Sequence, residues 1–256
     1  MKTEIQQKLL ELEQQHNIEI LYACETGSRA WGFPSPDSDY DIRLLYKHEP
    51  DWYVSLHEPK DTIELMLEDG NFDITGWDIR KALRLLWKSN ASLLERIQSP
   101  IVYMEKEGFA TEINQLGQQC YSPIAVLHHY LSLTKKCLQD LELDSRFRLK
   151  LLFYALRNAT ACRWVLEQPG PPPIVFQTML NGLGTEEALQ QRITELVALK
   201  ATKDESYMHE AEPELMQYIR ESIDASEELA SSLFGGRGDM KKMNASLRKI
   251  VQYSVL

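Results

Sequence analysis

The chain has 256 residues, 43% hydrophobic and 26% charged, the balance of an ordinary soluble globular protein with room for one large core or two small ones. A net charge of −10 argues against a surface built to coat long stretches of nucleic acid, while suiting a protein that gathers cations with clustered carboxylates. No apolar run approaches the roughly 20 residues that span a bilayer, and the charged, amphipathic stretch from Met1 to His16 does not read as a signal peptide. Cys24, Cys120, Cys137 and Cys162 are scattered without a C-x-x-C pair, so a reduced, cytoplasmic protein is expected.

In chain order, residues 3–15 carry the apolar spacing of a surface helix through Ile5, Leu9, Leu10 and Leu12. Ile18–Ala23 reads as a strand ending at Gly27-Ser28, and Asp41–Tyr46 as a second. Thr62–Leu67 and Asn71–Thr75 read as two more, with Glu68-Asp69-Gly70 as the turn between them. Asp78 has the character of an N-cap for a helix running to about Lys88. From there the pattern is helical. Tyr121-Ser122-Pro123 opens a helix toward Leu138, and residues 146–167 form another that the proline-rich run 169–173 stops. Further helices are predicted at 174–181, 185–201, 212–232 and 241–252. The expected fold class is α+β. A small mixed-sheet domain over 1–110 precedes an all-helical domain over 111–256 that closes a cleft, with the boundary somewhere between 90 and 120.

The chemistry concentrates in residues 26–43. Gly27-Ser28 follows a strand, where a turn leaves backbone N–H groups and a serine hydroxyl for a phosphate, although most such pairs are only turns. Asp39 and Asp41 stand at i and i+2 of a strand, so both carboxylates project to one face while Tyr40 points away. Adjacent carboxylates repel unless positive charge lies between them, and magnesium favours oxygen ligands. A solvated surface pair is the competing reading. A third carboxylate, Asp73, lies between the apolar Phe72 and Ile74, where an Asp is costly unless paired or metal-bound. Three carboxylates meeting at one sheet surface are the layout for two metal ions that activate a hydroxyl and clamp phosphates.

The string G-S-x10-D-x-D followed by a later strand Asp resembles the DNA polymerase β-like nucleotidyltransferase superfamily. Gly27-Ser28-Arg29-Ala30-Trp31-Gly32, Ser35-Pro36-Asp37-Ser38-Asp39-Tyr40-Asp41, Phe72-Asp73-Ile74 and the stretch Trp77–Leu83 are similar to its bacterial and phage branch that includes RNA-ligase-associated proteins. The resemblance runs from about residue 18 to about 165. It implies that Gly27 and Ser28 hold a nucleoside triphosphate, ATP being the expected one. It further implies that Asp39 and Asp41 bind two Mg2+ ions, with Asp73 as third ligand and base. Asp37 and Asp78 stay open as alternatives, Asp37 facing a Ser-Pro turn and Asp78 fitting a helix cap.

Lys150, Tyr154 and Arg157 fall at i, i+4 and i+7 of a helix whose neighbours Leu149, Leu152, Phe153 and Leu156 call for burial. The stripe reads equally as a cleft wall, with Lys150 on the triphosphate and Arg157 beside it, or as a solvated face. Trp31 and Trp77 flank the predicted site, either stacking on a base or packing the small domain. His128-His129 diverge on a helix and make no metal site. Gly236-Arg237-Gly238-Asp239 reads as a loop, and the basic C-terminal helix (Lys241, Lys242, Arg248, Lys249) as a solvated end. The expected activity is magnesium-dependent transfer of a nucleoside monophosphate to an acceptor hydroxyl, with an RNA end as candidate acceptor. The alternative is a nucleotide-binding regulator that no longer turns over. A homodimer through the C-terminal helices is compatible with the sequence, and no membrane partner is expected.

Overall fold

The computed structural model describes residues 1–57, 59–66, 72–236 and 238–252. The opening apolar spacing folds as helix α1 (Lys2–His16), which buries Ile5, Leu9 and Leu12 and stops where Asn17 turns left-handed at φ 49° and sends its N–H to the Glu13 carbonyl. Strand β1 (Glu19–Glu25) follows, then the five-residue helix α2 (Gly27–Trp31), strand β2 (Tyr40–Lys47) and a one-turn helix α3 (Pro50–Tyr53). Strands β3 (Thr62–Met66) and β4 (Phe72–Asp78) match the two further strands predicted, whose joining turn, Glu68 to Gly70, lies outside the described residues. Asp78 caps helix α4 (Ile79–Trp87), accepting the Arg80 N–H at 2.8 Å.

The stretch between α4 and residue 121 holds helix α5 (Ala91–Arg96), strand β5 (Val102–Glu105) and helix α6 (Phe109–Cys120). Helix α7 (Pro123–Leu141) has proline in its first turn, where the missing N–H costs nothing. The predicted helix over 146–167 needs correction at its start. Arg146–Arg148 forms strand β6, and helix α8 (Leu149–Glu167) begins only afterwards. Helices α9 (Phe176–Gly182) and α10 (Glu187–Lys200) precede strand β7 (Met208–Glu210), which pairs antiparallel with β6. Helix α11 (Pro213–Leu229) and helix α12 (Met240–Ile250) end the chain's regular structure. No helix among the described residues is long and apolar enough to cross a membrane.

The chain divides into two units, and the division is discontinuous in sequence. The first comprises residues 1–27 and 39–121 with the C-terminal stretch that carries α12. Its five-stranded mixed sheet has the order β3-β4-β2-β1-β5, in which β2 and β4 run parallel and the other neighbours antiparallel. One sheet face is apolar: Ile20, Ile42, Leu44, Tyr46, Ile63, Phe72 and Ile74 join Ile5, Leu9 and Leu12 of α1 in a single core. Period-2 alternation sends the intervening side chains, Asp41, Arg43, Asp73 and Thr75, to the other face.

The second unit comprises residues 28–38 and 122–236. Helix α8 packs between α7 and α11. Its small buried residues Ala155, Ala159 and Ala161 allow close approach, and the Thr160 and Tyr218 hydroxyls lie 3.1 Å apart in that interior. The early segment 28–38 is tied into this core by Phe33, whose ring stacks on Phe153 at 4.8 Å and meets Phe176 edge-on at 5.8 Å.

Arg192 of α10 grips Glu212, at the start of α11, in a bidentate pair with both contacts at 2.7 Å. Its guanidinium holds the Glu212 carboxyl below the usual glutamate range. A carboxyl lowered by folding adds stability that is present above its unfolded value, near pH 4.3, and is lost as the pH falls through the folded one. Because the Arg192 side chain is 40% exposed, about 1 kcal/mol at most is expected from the pair. Urea midpoints measured against pH should therefore fall less steeply on the acid side in Glu212→Gln than in the parent.

Candidate active site

Asp41 and Asp73 are register partners across the parallel β2–β4 pair. Their side chains converge on one nitrogen: Arg43 Nη2 donates to Asp41 Oδ1 at 2.8 Å and to Asp73 Oδ2 at 2.7 Å. Arg43 Nη1 also reaches the Asp73 carbonyl at 2.8 Å. The two carboxylates thus face each other within two hydrogen-bond lengths, with a guanidinium supplying the positive charge that such a pair requires. Asp39 stands one residue before β2 and is exposed, so the strand alternation that pairs it with Asp41 begins at its edge. Among the described residues no three His, Cys, Asp or Glu side chains are gathered closely enough to hold a metal ion. The Asp41–Asp73 pair nevertheless fits a divalent cation in its donor chemistry, being hard carboxylate oxygens aimed at a point that already attracts a cationic group.

Asp78 has other duties. It is fully buried, with one oxygen on the Arg80 N–H and the other taking the Tyr53 hydroxyl at 2.6 Å, and burial raises its carboxyl above the ordinary range. Its strand partner is Tyr46, not Asp41. Five positions separate it from Asp73, which places the two on opposite faces of β4.

The end of β1 clamps Asp41 through its backbone. The Thr26 N–H donates to the Asp41 carbonyl at 2.8 Å, and the Asp41 N–H donates to Glu25 Oε1 at 2.8 Å. Glu25 is wholly buried, and its other oxygen accepts the Tyr103 hydroxyl. Gly27 comes next at φ +63°, so close that a Cβ there would lie 1.9 Å from Asp41 Oδ2. Only glycine serves at this position, for conformation and for space alike. Glu25 and Arg43 escaped the sequence reading. The available signal was a charged residue within an apolar strand, the same one that drew attention to Asp73.

In the second unit, Ser28 is buried and its hydroxyl donates to Ser38 Oγ at 3.1 Å. Arg29 Nη2 donates to the Ser38 carbonyl at 2.5 Å. Ser38 Oγ in turn donates to Glu205 Oε1 at 3.1 Å, and Lys150 Nζ sits 2.5 Å from Glu205 Oε2. Of the predicted stripe on α8, Lys150 is therefore in an ion pair with its ammonium 5.8 Å from the Tyr154 ring, and Tyr154 meets Trp31 edge-on at 5.3 Å. Arg157 is buried. Its guanidinium lies over Trp31 at 4.4 Å and donates to the Ile174 carbonyl at 3.2 Å. Trp77, in the first unit, carries the Arg96 guanidinium at 3.3 Å. Both tryptophans expected to flank the site thus have a ring face occupied by arginine.

Comparison with known proteins concerns the chain as a whole. The model of the RNA repair pathway DNA polymerase beta family matches residues 1–249, well beyond the stretch over which the sequence resemblance was legible. The uncharacterized protein YcgL of Bacillus subtilis (strain 168) is 34% identical over 255 residues, covering 100% of this chain and 96% of that protein. A nucleotidyltransferase-like protein from Exiguobacterium sibiricum 255-15, of known crystal structure, aligns over 89% of this chain and 75% of its own at 12% identity, with a TM-score of 0.32. That likeness is too slight to argue from.

Proposed function

The chain belongs to the RNA repair pathway DNA polymerase beta family, and from that premise we propose that it is a magnesium-dependent nucleotidyltransferase acting on an acceptor hydroxyl, with an RNA end the first acceptor to try. The observation that carries the reading is the register pairing of Asp41 with Asp73, both reaching the Arg43 guanidinium on the face opposite the apolar core. A pair of facing carboxylates is costly to maintain unless it serves cation binding or structure.

Asp41 and Asp73 would hold magnesium, with Asp39 as the further ligand that the sequence resemblance implies, and the metal would neutralise the phosphates and lower the barrier to attack. Asp73 would take the proton of the acceptor hydroxyl. The acceptor oxygen bonds to the α-phosphorus, the bond from that phosphorus to the bridging oxygen breaks, and pyrophosphate leaves with the electron pair. Gly27, with Glu25 and Thr26 bracing the neighbouring strand, fixes where the Asp41 carboxylate points. Ser28 and Lys150 would hold the triphosphate, with ATP the nucleotide to try first. Tyr154 and Arg157 would shape the wall around Trp31. Positioning and charge account for most of the rate enhancement in such a reaction.

The test is pyrophosphate release from each of the four triphosphates, with RNA 3′ ends, RNA 5′ ends, proteins and small alcohols supplied in turn. Release that needs both magnesium and one acceptor class is the expected outcome. Magnesium-dependent binding of nucleotide without release for any acceptor would favour a regulator instead.

A further inference from the structure

The polar group that sequence reading had no means to find is Glu205, in the loop between α10 and β7. It lies 167 positions from Ser38 in the chain, yet their side chains are hydrogen-bonded. Every partner of this carboxylate is a group that would suit a phosphate. Lys150 Nζ holds Oε2 at 2.5 Å, and Oε1 receives the Ser38 hydroxyl, which itself receives the Ser28 hydroxyl and the Ser35 N–H at 3.1 and 3.0 Å. A second cation stands behind them. Lys200 is 2% exposed, donates to Ser35 Oγ at 2.8 Å and has its ammonium 5.8 Å from the Phe33 ring. A buried ammonium is expensive, and burial pulls its pKa below the ordinary lysine range. The Asp37 carboxylate, in the same loop as Ser35 and Ser38, receives the Glu205 backbone N–H at 3.0 and 3.1 Å and so ties that loop to the one carrying Glu205, while its charge also acts on Lys200.

We propose that Ser28, Ser38 and Lys150, backed by Lys200, form a seat for the terminal phosphates of a polyphosphate, and that the Glu205 carboxylate is a resident anion which must leave Lys150 for the phosphate to enter. This rests on the nucleotidyltransferase reading for the identity of the natural ligand, a nucleoside triphosphate. The gate itself rests only on geometry within the second unit. A carboxylate and a phosphate oxygen compete for the same donors, and a second anion entering beside Glu205 would meet like charge in a half-buried place. The pair therefore guards the seat against stray anions and lets the ligand exchange one partner of Lys150 for another. The gate adds selectivity at the cost of affinity, since part of the binding free energy goes to opening it.

The test titrates inorganic tripolyphosphate, and separately ATP, into the full chain by calorimetry. Glu205→Gln keeps the size of the side chain and its ability to accept from Ser38, but removes the charge that holds Lys150. It is expected to bind tripolyphosphate about tenfold more tightly than the parent. Adding Lys150→Ala to Glu205→Gln should abolish that gain, a coupling that a general change in net charge or fold would not produce. Unchanged or weaker binding in Glu205→Gln, a gain that survives loss of Lys150, or no tripolyphosphate binding by either protein would each overturn the gate. Tripolyphosphate binding in the expected pattern by a chain that transfers no nucleotide would leave the gate standing and remove the enzymatic reading. Nucleotide transfer with no effect of Glu205→Gln on binding would do the reverse.

Discussion

Replacing Asp41 with Asn is expected to lower nucleotidyl transfer by about a thousandfold or more, on the order of 4 kcal/mol of transition-state stabilisation, while leaving the fold in place. The asymmetry follows from what Asp41 touches. Its structural contacts run mainly through the backbone, where Thr26 and Glu25 bond its carbonyl and N–H, and these survive the substitution. An Asn carbonyl oxygen can still accept from Arg43 Nη2. What disappears is the negative charge that would bind the cation. Single-turnover transfer measured beside a thermal melt separates the two. Loss of activity with a melting temperature within a few degrees of the parent is the expected pair of results. A large drop in melting temperature would instead make the Asp41–Arg43–Asp73 cluster a structural ion pair.

Gly27→Ala should cost both activity and stability. At φ +63° an alanine pays a left-handed penalty of about 1 kcal/mol, and its methyl would fall 1.9 Å from Asp41 Oδ2, so the carboxylate or the turn must move. We expect about 1–3 kcal/mol less stability in urea and a loss of transfer of about a hundredfold, since a ligand misplaced by even an ångström is a poor one. Gly108→Ala is the matched control. It has the same sign of φ, +76°, but nothing within 4 Å of the added carbon, so only the backbone strain should appear and transfer should be unchanged. Equal losses of activity in the two variants would mean that the close approach to Asp41 has no bearing on function.

The parts of this protein legible in its sequence are those where neighbours in the chain decide the outcome. Strands β1, β2 and β4 alternate or run apolar for seven or eight residues, and Asp78 announced its helix as a cap should. Asp73 stood out because a carboxylate between Phe72 and Ile74 needs a reason. Strand β5 has four residues, and its place at the sheet edge depends on pairing with β1 eighty positions earlier. Arg146–Arg148 could extend the following helix as far as local pattern goes. Its strand is fixed by Met208–Glu210, sixty residues away. The same limit explains the site. Arg43 was visible as a residue but not as the bridge between Asp41 and Asp73, because bridging needs the β2–β4 register. Glu205 and Lys200 belong to no sequence motif, and only the folded chain sets them beside Ser38 and Ser35.

The most direct measurement of the central claim compares ATP labelled at the α-phosphate with ATP labelled at the γ-phosphate, given with magnesium and the acceptor class that supports pyrophosphate release. The Asp39→Asn, Asp41→Asn double variant runs alongside. The account predicts that the α-label becomes bound to the acceptor, that the γ-label leaves as pyrophosphate, and that both events vanish in the double variant. Transfer of the γ-label to the acceptor, or α-label transfer that persists without the two carboxylates, would contradict it.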